Sequence, residues 1–238
     1  MRAKVLRASR LTKRFGGVSA VENMDLEVER SEVVGLIGPN GAGKTTFLNL
    51  LSGLIKPDSG YVELDGVKVT GLRAHRLMKM GLARTFQIPK LFKNMTVLEN
   101  VLVPMTSTKL ESVDMFDKAL NLLRLVGLAG MESMYASELS GGQQKLLEIA
   151  RALITDPKIV LMDEPIAGVH PKLKETILSV VVDLKKEGTS FLIVSHDIKA
   201  ITTVSDRIVA MSNGKKIAEG APSEVMLSAE VIESYLGV

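Results

Sequence analysis

The stretch Gly38-Pro39-Asn40-Gly41-Ala42-Gly43-Lys44-Thr45-Thr46 constrains this chain more than any other. It fits G-x-x-x-x-G-K-[ST], a loop pattern that cradles phosphates. Each residue type has a physical job there. Glycines let the backbone turn where a Cβ would be in the way. The loop's amide N–H groups then converge on an anion. Lys44 adds a point charge for β- and γ-phosphates, and the Thr45 hydroxyl suits Mg²⁺. The flanks agree. Residues 32–37 are apolar and β-branched after Glu32, as a strand buried on both faces should be. Residues 45–51 read as a helix, whose free N-terminal N–H groups and dipole favour an anion. A glycine-rich turn that matched by chance would need neither flank.

Around this loop the chain alternates strand and helix patterns. Residues 3–11 and 21–29 predict strands, the second alternating Met24, Leu26 and Val28 with charged neighbours, as on a sheet with one wet face. Phe15, Gly16 and Gly17 sit between them. Residues 61–64 and 67–69, joined by Asp65-Gly66, predict a hairpin. Residues 73–81 predict a helix, and 82–86 a strand leading to Gln87. From about residue 88 to 150 the character changes. Residues 97–103, 114–126 and 143–154 show helical spacing, with no good strand between them. Strands return at 159–162 and 191–194, on either side of a helix over 171–186 that Gly188 stops. Asn213-Gly214 predicts a second tight hairpin, and a polar helical tail covers 222–235.

Strands alternating with helices argue an α/β fold with a mostly parallel sheet. One domain over 1–238 is expected. Its nucleotide-binding core and an antiparallel β subdomain come from 1–87 and 156–238, and an inserted α-helical subdomain spans 88–155.

Composition narrows the partners. The 30 basic and 27 acidic residues leave a net charge of +3, too balanced to suggest nucleic acid, and no basic stripe is present. With no cysteine, disulfides, thiolate metal sites and thiol chemistry are excluded. No apolar run approaches the roughly 18 residues of a membrane span. Met1-Arg2-Ala3-Lys4-Val5 lacks the apolar core of a secretory signal. A soluble, intracellular chain is expected, held at a membrane only through a partner.

Two further motifs carry chemistry. Asp163 and Glu164 end the strand over 159–162. Behind a phosphate loop, an acid at this place completes a Mg²⁺ site, and a second can orient and polarise an attacking water. Solvated acids capping a strand are the plain alternative. Leu139-Ser140-Gly141-Gly142-Gln143 precedes an apolar helical stripe of Leu146, Leu147, Ala150 and Leu153. A Ser and two glycines at a helix start make an anion site, although Ser140 could simply be an N-cap.

Together these motifs resemble the ATP-binding cassette (ABC) transporter ATPases over essentially the whole chain. The resemblance implies a P-loop NTPase core of the RecA-like kind. It makes 38–45 the Walker A, Gln87 the Q-loop, Leu139 to Gln143 the signature, Asp163-Glu164 the Walker B end and His196 the switch histidine. Five motifs in order make the match specific. It further implies Lys44, Glu164 and His196 in catalysis, Thr45, Gln87 and Asp163 on Mg²⁺, and Phe15 stacked on adenine. ATP is then bound by Gly38, Pro39, Asn40, Gly41, Ala42, Gly43, Lys44, Thr45 and Thr46. Ser140, Gly141, Gly142 and Gln143 reach it in trans, from a second ATPase subunit of a homo- or heterodimer. His170 falls where the family's D-loop usually carries Asp or Asn, and a histidine there is a candidate pH-sensitive element. His75 reads as a surface helix residue.

A finer resemblance points to importers of branched-chain amino acids. Ala83-Arg84-Thr85-Phe86-Gln87, Leu91-Phe92, the run Met95-Thr96-Val97-Leu98-Glu99-Asn100 and the ending Tyr235-Leu236-Gly237 carry it. Ala167-Gly168 is shared with lipopolysaccharide-export ATPases, which are the alternative. A non-transport cassette acting on DNA or ribosomes is less consistent, lacking here its long coiled-coil insertion or second cassette. The resemblance implies integral membrane permeases, docked near Gln87, and indirectly a solute-binding protein. It places the chain in the cytoplasm, peripheral on the inner face of the cell membrane.

Overall fold

Two sheets of different character share one core in the computed structural model, which describes residues 3–107 and 112–236. The chain starts with β1 (Lys4–Phe15) and β2 (Val18–Glu29), an antiparallel pair turned at Gly16-Gly17. Both strands run further toward the turn than the alternation predicts. Arg10 and Asn23 stand at φ 46° and 47°, and the ladder is irregular beside them. Such bulges break the period of two that a sequence reading relies on. Then come β3 (Val33–Ile37), buried at every residue, and α1 (Lys44–Leu51). β4 (Ser59–Leu64) and β5 (Val67–Lys68) form the expected hairpin, with Asp65 and Gly66 at the positive φ values a type I′ turn requires.

α2 (Ala74–Lys79) leads to β6 (Leu82–Arg84), shorter than expected because Phe86 turns its N–H to the Glu148 carboxylate instead of the ladder. α3 (Val97–Leu102), α4 (Ser112–Leu125) and α5 (Gly141–Leu153) pack on one another. α5 begins before residue 143 because Ser140 caps it. The Ser140 hydroxyl accepts from Gln143 N–H, and the Gln143 amide oxygen accepts from Ser140 N–H.

β7 (Ile159–Asp163), α6 (Pro171–Lys186) and β8 (Ser190–Val194) follow in the predicted order. α7 (Ile198–Val204) has no counterpart in the sequence pattern. Its 7 residues are mostly β-branched, so their helix propensity is weak. Asp197 starts it by accepting from Ala200 N–H. β9 (Arg207–Ser212) and β10 (Lys215–Gly220) make the Asn213-Gly214 hairpin. The tail is two short helices rather than one, α8 (Pro222–Val225) and α9 (Ala229–Leu236).

The larger sheet runs β10-β9-β3-β8-β7-β6, parallel except for β10; the smaller runs β2-β1-β4-β5 and is antiparallel. Alternate residues of the central strands face two cores. Val34, Leu36, Leu161 and Leu192 pack toward α1 and the antiparallel sheet, while Val33, Ile37, Val160 and Ile193 pack toward α5, α6 and α7. Leu36 pairs with Val194, and Val194 with Asp163, so β3, β8 and β7 end level. Open parallel sheets bind ligands outside the carboxyl ends of their strands. Here those ends carry the phosphate loop, Ser195-His196 and Glu164.

Candidate functional site

The three strand ends open into a cleft of about 670 Å³. Asn40, Gly41, Ala42, Gly43, Lys44, Thr45 and Thr46 line it, with Gln87, Asp163, Glu164 and His196 opposite and residues 18–20 along one edge. Gly38 and Pro39 lie behind the lining, and their carbonyls accept from Lys44 Nζ at 2.6 and 2.9 Å. Two of the loop's glycines are sterically required. A Cβ on Gly38 would lie 2.1 Å from the Met211 carbonyl oxygen, and one on Gly43 2.2 Å from that of Ala20, with both residues at positive φ. Burial pushes the Lys44 ammonium below its ordinary value, against the opposing pull of Glu164 and Asp163.

Thr45 Oγ1 and Asp163 Oδ1 face each other at 3.5 Å. Burial raises the Asp163 carboxyl above its ordinary range, while the nearby Arg84 guanidinium, 3.6 Å away, works to lower it. Glu164 follows at φ 50°, an uncommon conformation for a side-chain-bearing residue. That turn sends its carboxylate away from Asp163 and onto His196, whose Nδ1 lies 2.8 Å from Glu164 Oε2. A carboxylate partner assigns the proton of a neutral imidazole to Nδ1.

Other expected residues lie outside the cleft. Phe15 is half exposed beyond its rim, with Lys13 Nζ 5.6 Å from the ring centroid. Ser140, Gly141, Gly142 and Gln143 sit at the exposed start of α5 and do not line the cleft of their own chain. His170 caps α6, its Nδ1 accepting from Lys172 N–H at 3.4 Å. His75 lines a second, apolar cavity of about 240 Å³ beside Phe86, Glu148 and Arg151.

Four residues to which the sequence reading gives no role in the site complete the arrangement. Arg84 is buried between Asp163 and Ser52. Lys145, in the second turn of α5, donates to the carbonyls of Glu164 and Ala167 at 2.8 and 2.7 Å and so clasps the turn behind the acids. Glu148, one helical turn on, accepts from the N–H groups of Phe86 and Lys90 and brackets the loop of Gln87. Tyr235 accepts from Gly38 N–H at 2.8 Å. All four join segments far apart in sequence, which is why spacing does not mark them.

The donor set suits a hard cation. Among the described residues no three His, Asp or Glu side chains converge to hold a metal unaided. Thr45 and Asp163 offer oxygens at the edge of a phosphate-sized loop, and Mg²⁺ commonly takes one or two protein oxygens, waters and substrate phosphates.

A sequence model of the family described as "ABC transporter" matches residues 21–167. The chain belongs to the ABC transporter family. This ABC ATPase is 41% identical to a protein of Archaeoglobus fulgidus named "Probable branched-chain amino acid transport ATP-binding protein LivG", over 98% of this chain and 96% of that one. It is 37% identical to the "High-affinity branched-chain amino acid transport ATP-binding protein BraF" of Pseudomonas aeruginosa, over 100% and 99%. Among solved structures, a nucleotide-free ATP-binding cassette from an ABC transporter superposes with a TM-score of 0.90 at 36% identity, covering 99% of this chain and 100% of that one. A dimeric cassette in a post-hydrolysis state bound to ADP and Pi superposes at 0.83 and 30% identity, covering 91% and 98%. The α/β cassette fold and its membership among nucleotide-binding ATPases are thus shared with these proteins.

Proposed function

We propose that this ABC ATPase energises uptake of branched-chain or related amino acids through partner permeases. Support comes from the gathering of Lys44, Gln87, Asp163, Glu164 and His196 at one cleft in a chain collinear with relatives named for that transport. Phosphoryl transfer needs placement and charge neutralisation more than covalent chemistry. Lys44 and the loop amides hold the β- and γ-phosphates. Thr45, Asp163 and Gln87 would hold Mg²⁺, which when bound neutralises phosphate charge. Water attacks the γ-phosphorus, the bond to the bridging oxygen of ADP breaks, and Glu164 takes the water's proton. In its imidazolium form His196, held through Nδ1 by Glu164, donates from its other ring nitrogen to the γ-phosphate. Phe15 stacks on adenine at the rim.

In this reading two cassettes close on each nucleotide, with 140–143 of one meeting the phosphate loop of the other. Residues 1–87 and 156–238 form the nucleotide-binding core and β layer, and 88–155 the helical subdomain. No helix among the described residues is long and apolar enough to cross a membrane. Attachment to the inner face of the membrane therefore runs through permeases. Ile88 and Phe92, both exposed, make the docking face, while Leu91 and Met95 are partly buried. A solute-binding protein delivers substrate on the other side.

The test is ATP turnover by the cassette reconstituted with its permeases and solute-binding protein in vesicles. Leucine, isoleucine or valine should raise turnover and accumulate inside with ATP supplied to the cassette face. Turnover indifferent to all amino acids would remove the importer assignment and leave the ATPase.

A further inference from the structure

The phosphate loop is held from an unexpected direction. Gly38, its first residue, is wedged against the Met211 carbonyl, and its N–H points away from the cleft lining to the phenolic oxygen of Tyr235 at 2.8 Å. Tyr235 lies in α9, at the far end of the chain from the loop. The helix is seated by Val231, which is 1% exposed in the core, whereas its neighbours Ile232 and Leu236 face outward. α9 also rests on β10, whose hairpin partner β9 supplies Met211. The tail is thus fixed on the same strand pair that wedges Gly38. Tyr235 is 40% exposed, so only part of its ring is covered; that burial raises the phenol's pKa, the Gly38 bond lowers it and the nearby Glu164 charge raises it. Tyr235 therefore stands within electrostatic reach of the residues assigned to hydrolysis, and its hydroxyl hydrogen is free of the bond that its lone pair accepts.

We propose that Tyr235 is a positioning residue of the nucleotide site, fixing the first amide of the phosphate loop and so making the C-terminal helix part of that site. This rests on the reading of 38–46 as the ATP site. The loop amides cradle phosphate only if the loop enters the turn at one orientation, and the Tyr235 oxygen sets that entry. Nucleotide charge arriving beside Glu164 is in turn felt at the phenol, so the tail reports occupancy of the loop.

Tyr235→Phe removes one oxygen and keeps the ring. The KM for MgATP should rise about three- to tenfold, the net worth of one neutral hydrogen bond, with kcat within about a factor of two. Leu236→Ala, on the same helix and 70% exposed, should leave both constants unchanged. The chain has three tyrosines and no tryptophan, so tyrosine is its emitter. In Tyr61→Phe/Tyr135→Phe, Tyr235 is the sole emitter, and MgATP should change its fluorescence. That measurement stands even if Tyr235→Phe does not fold. An unchanged KM in folded Tyr235→Phe, or emission from Tyr235 indifferent to MgATP, overturns the proposal. Lys44→Ala separates the two readings: if it binds MgATP as wild type does, the nucleotide site itself is misassigned, whereas lost binding there beside an unchanged Tyr235→Phe sinks only the role of the tail.

Discussion

At the scale of the residue, the turn at 163–164 sets the chemistry. Two adjacent carboxylates aimed at one point repel each other where no cation lies between them. The φ of 50° at Glu164 separates them, leaving Asp163 to Thr45 and Arg84 and Glu164 to His196. A side-chain-bearing residue held there costs of order 1 kcal/mol or more, so something must hold it. Lys145 does so through the Glu164 and Ala167 carbonyls. In the proposed mechanism Glu164→Gln keeps the shape and removes the base. It should bind MgATP while turnover falls by about 10²–10⁴-fold, as for loss of a general base. Near-normal turnover in a phosphate-release assay would shift the role to His196. The residues whose work depends on local spacing, Lys44, Thr45, Asp163 and Glu164, are readable in the sequence because a turn and a strand end fix them over a few positions. Lys145, Arg84 and Tyr235 are not, because a buried cation or a phenol in a helix has no periodic signature. Only the fold brings its partner.

At the scale of the element, α5 is the piece that joins these parts. Its start carries Ser140 to Gln143, its second turn holds the acidic turn through Lys145, and its third holds the Gln87 loop through Glu148. Glu148 is 2% exposed and Arg151 lies 3.8 Å from it. Burial pushes the Glu148 carboxyl above its ordinary 4.5, with the two N–H bonds and the nearby cations opposing. The folded state therefore holds this proton more tightly than the unfolded chain. Stability from the group is full below pH 4.5 and is lost as pH rises through the raised value. Glu148→Gln replaces one acceptor with a donor and orphans an N–H, so it should destabilise by about 1–3 kcal/mol. That loss should shrink from acid to neutral pH, because only the wild type then carries a buried charge. Urea unfolding of both proteins at two pH values measures the difference; a loss that grows with pH contradicts the assignment. The apolar stripe of α5 was legible as a helix, but the pattern starts it at residue 143, and the reciprocal cap of Ser140 and Gln143 that begins it at Gly141 appears only in the structure. α7 was not legible, since its short β-branched run forms only where Asp197 caps it and Ala200, Ile201 and Val204 find a core.

At the scale of the whole molecule, the geometry leaves the cleft with one open wall. The proposed phosphate-binding groups Lys44, Asp163, Glu164 and His196 line one cleft, and Ser140 to Gln143 present a capped helix start that does not line it. A helix start of this kind favours an anion, yet no anion held in the chain's own cleft meets it. A second copy turned head to tail would bring it over the first copy's phosphates, the arrangement proposed here, and one related cassette has been solved as a dimer bound to ADP and Pi. Two defective proteins can then complement each other. Lys44→Ala removes the loop's cation, and Ser140→Arg fills the opposing helix start with a side chain too large for it. Each homodimer has two broken sites. In the mixed dimer one site takes Lys44 from the Ser140→Arg subunit and Ser140 from the Lys44→Ala subunit, so it is whole, while the other carries both defects. Mixing should restore MgATP binding to a maximum of one nucleotide per dimer, read by equilibrium dialysis, and Lys44→Ala with wild-type Ser140 alone should bind none. If each protein binds or fails alone just as it does in the mixture, both faces of the site come from one chain and the head-to-tail sandwich is wrong.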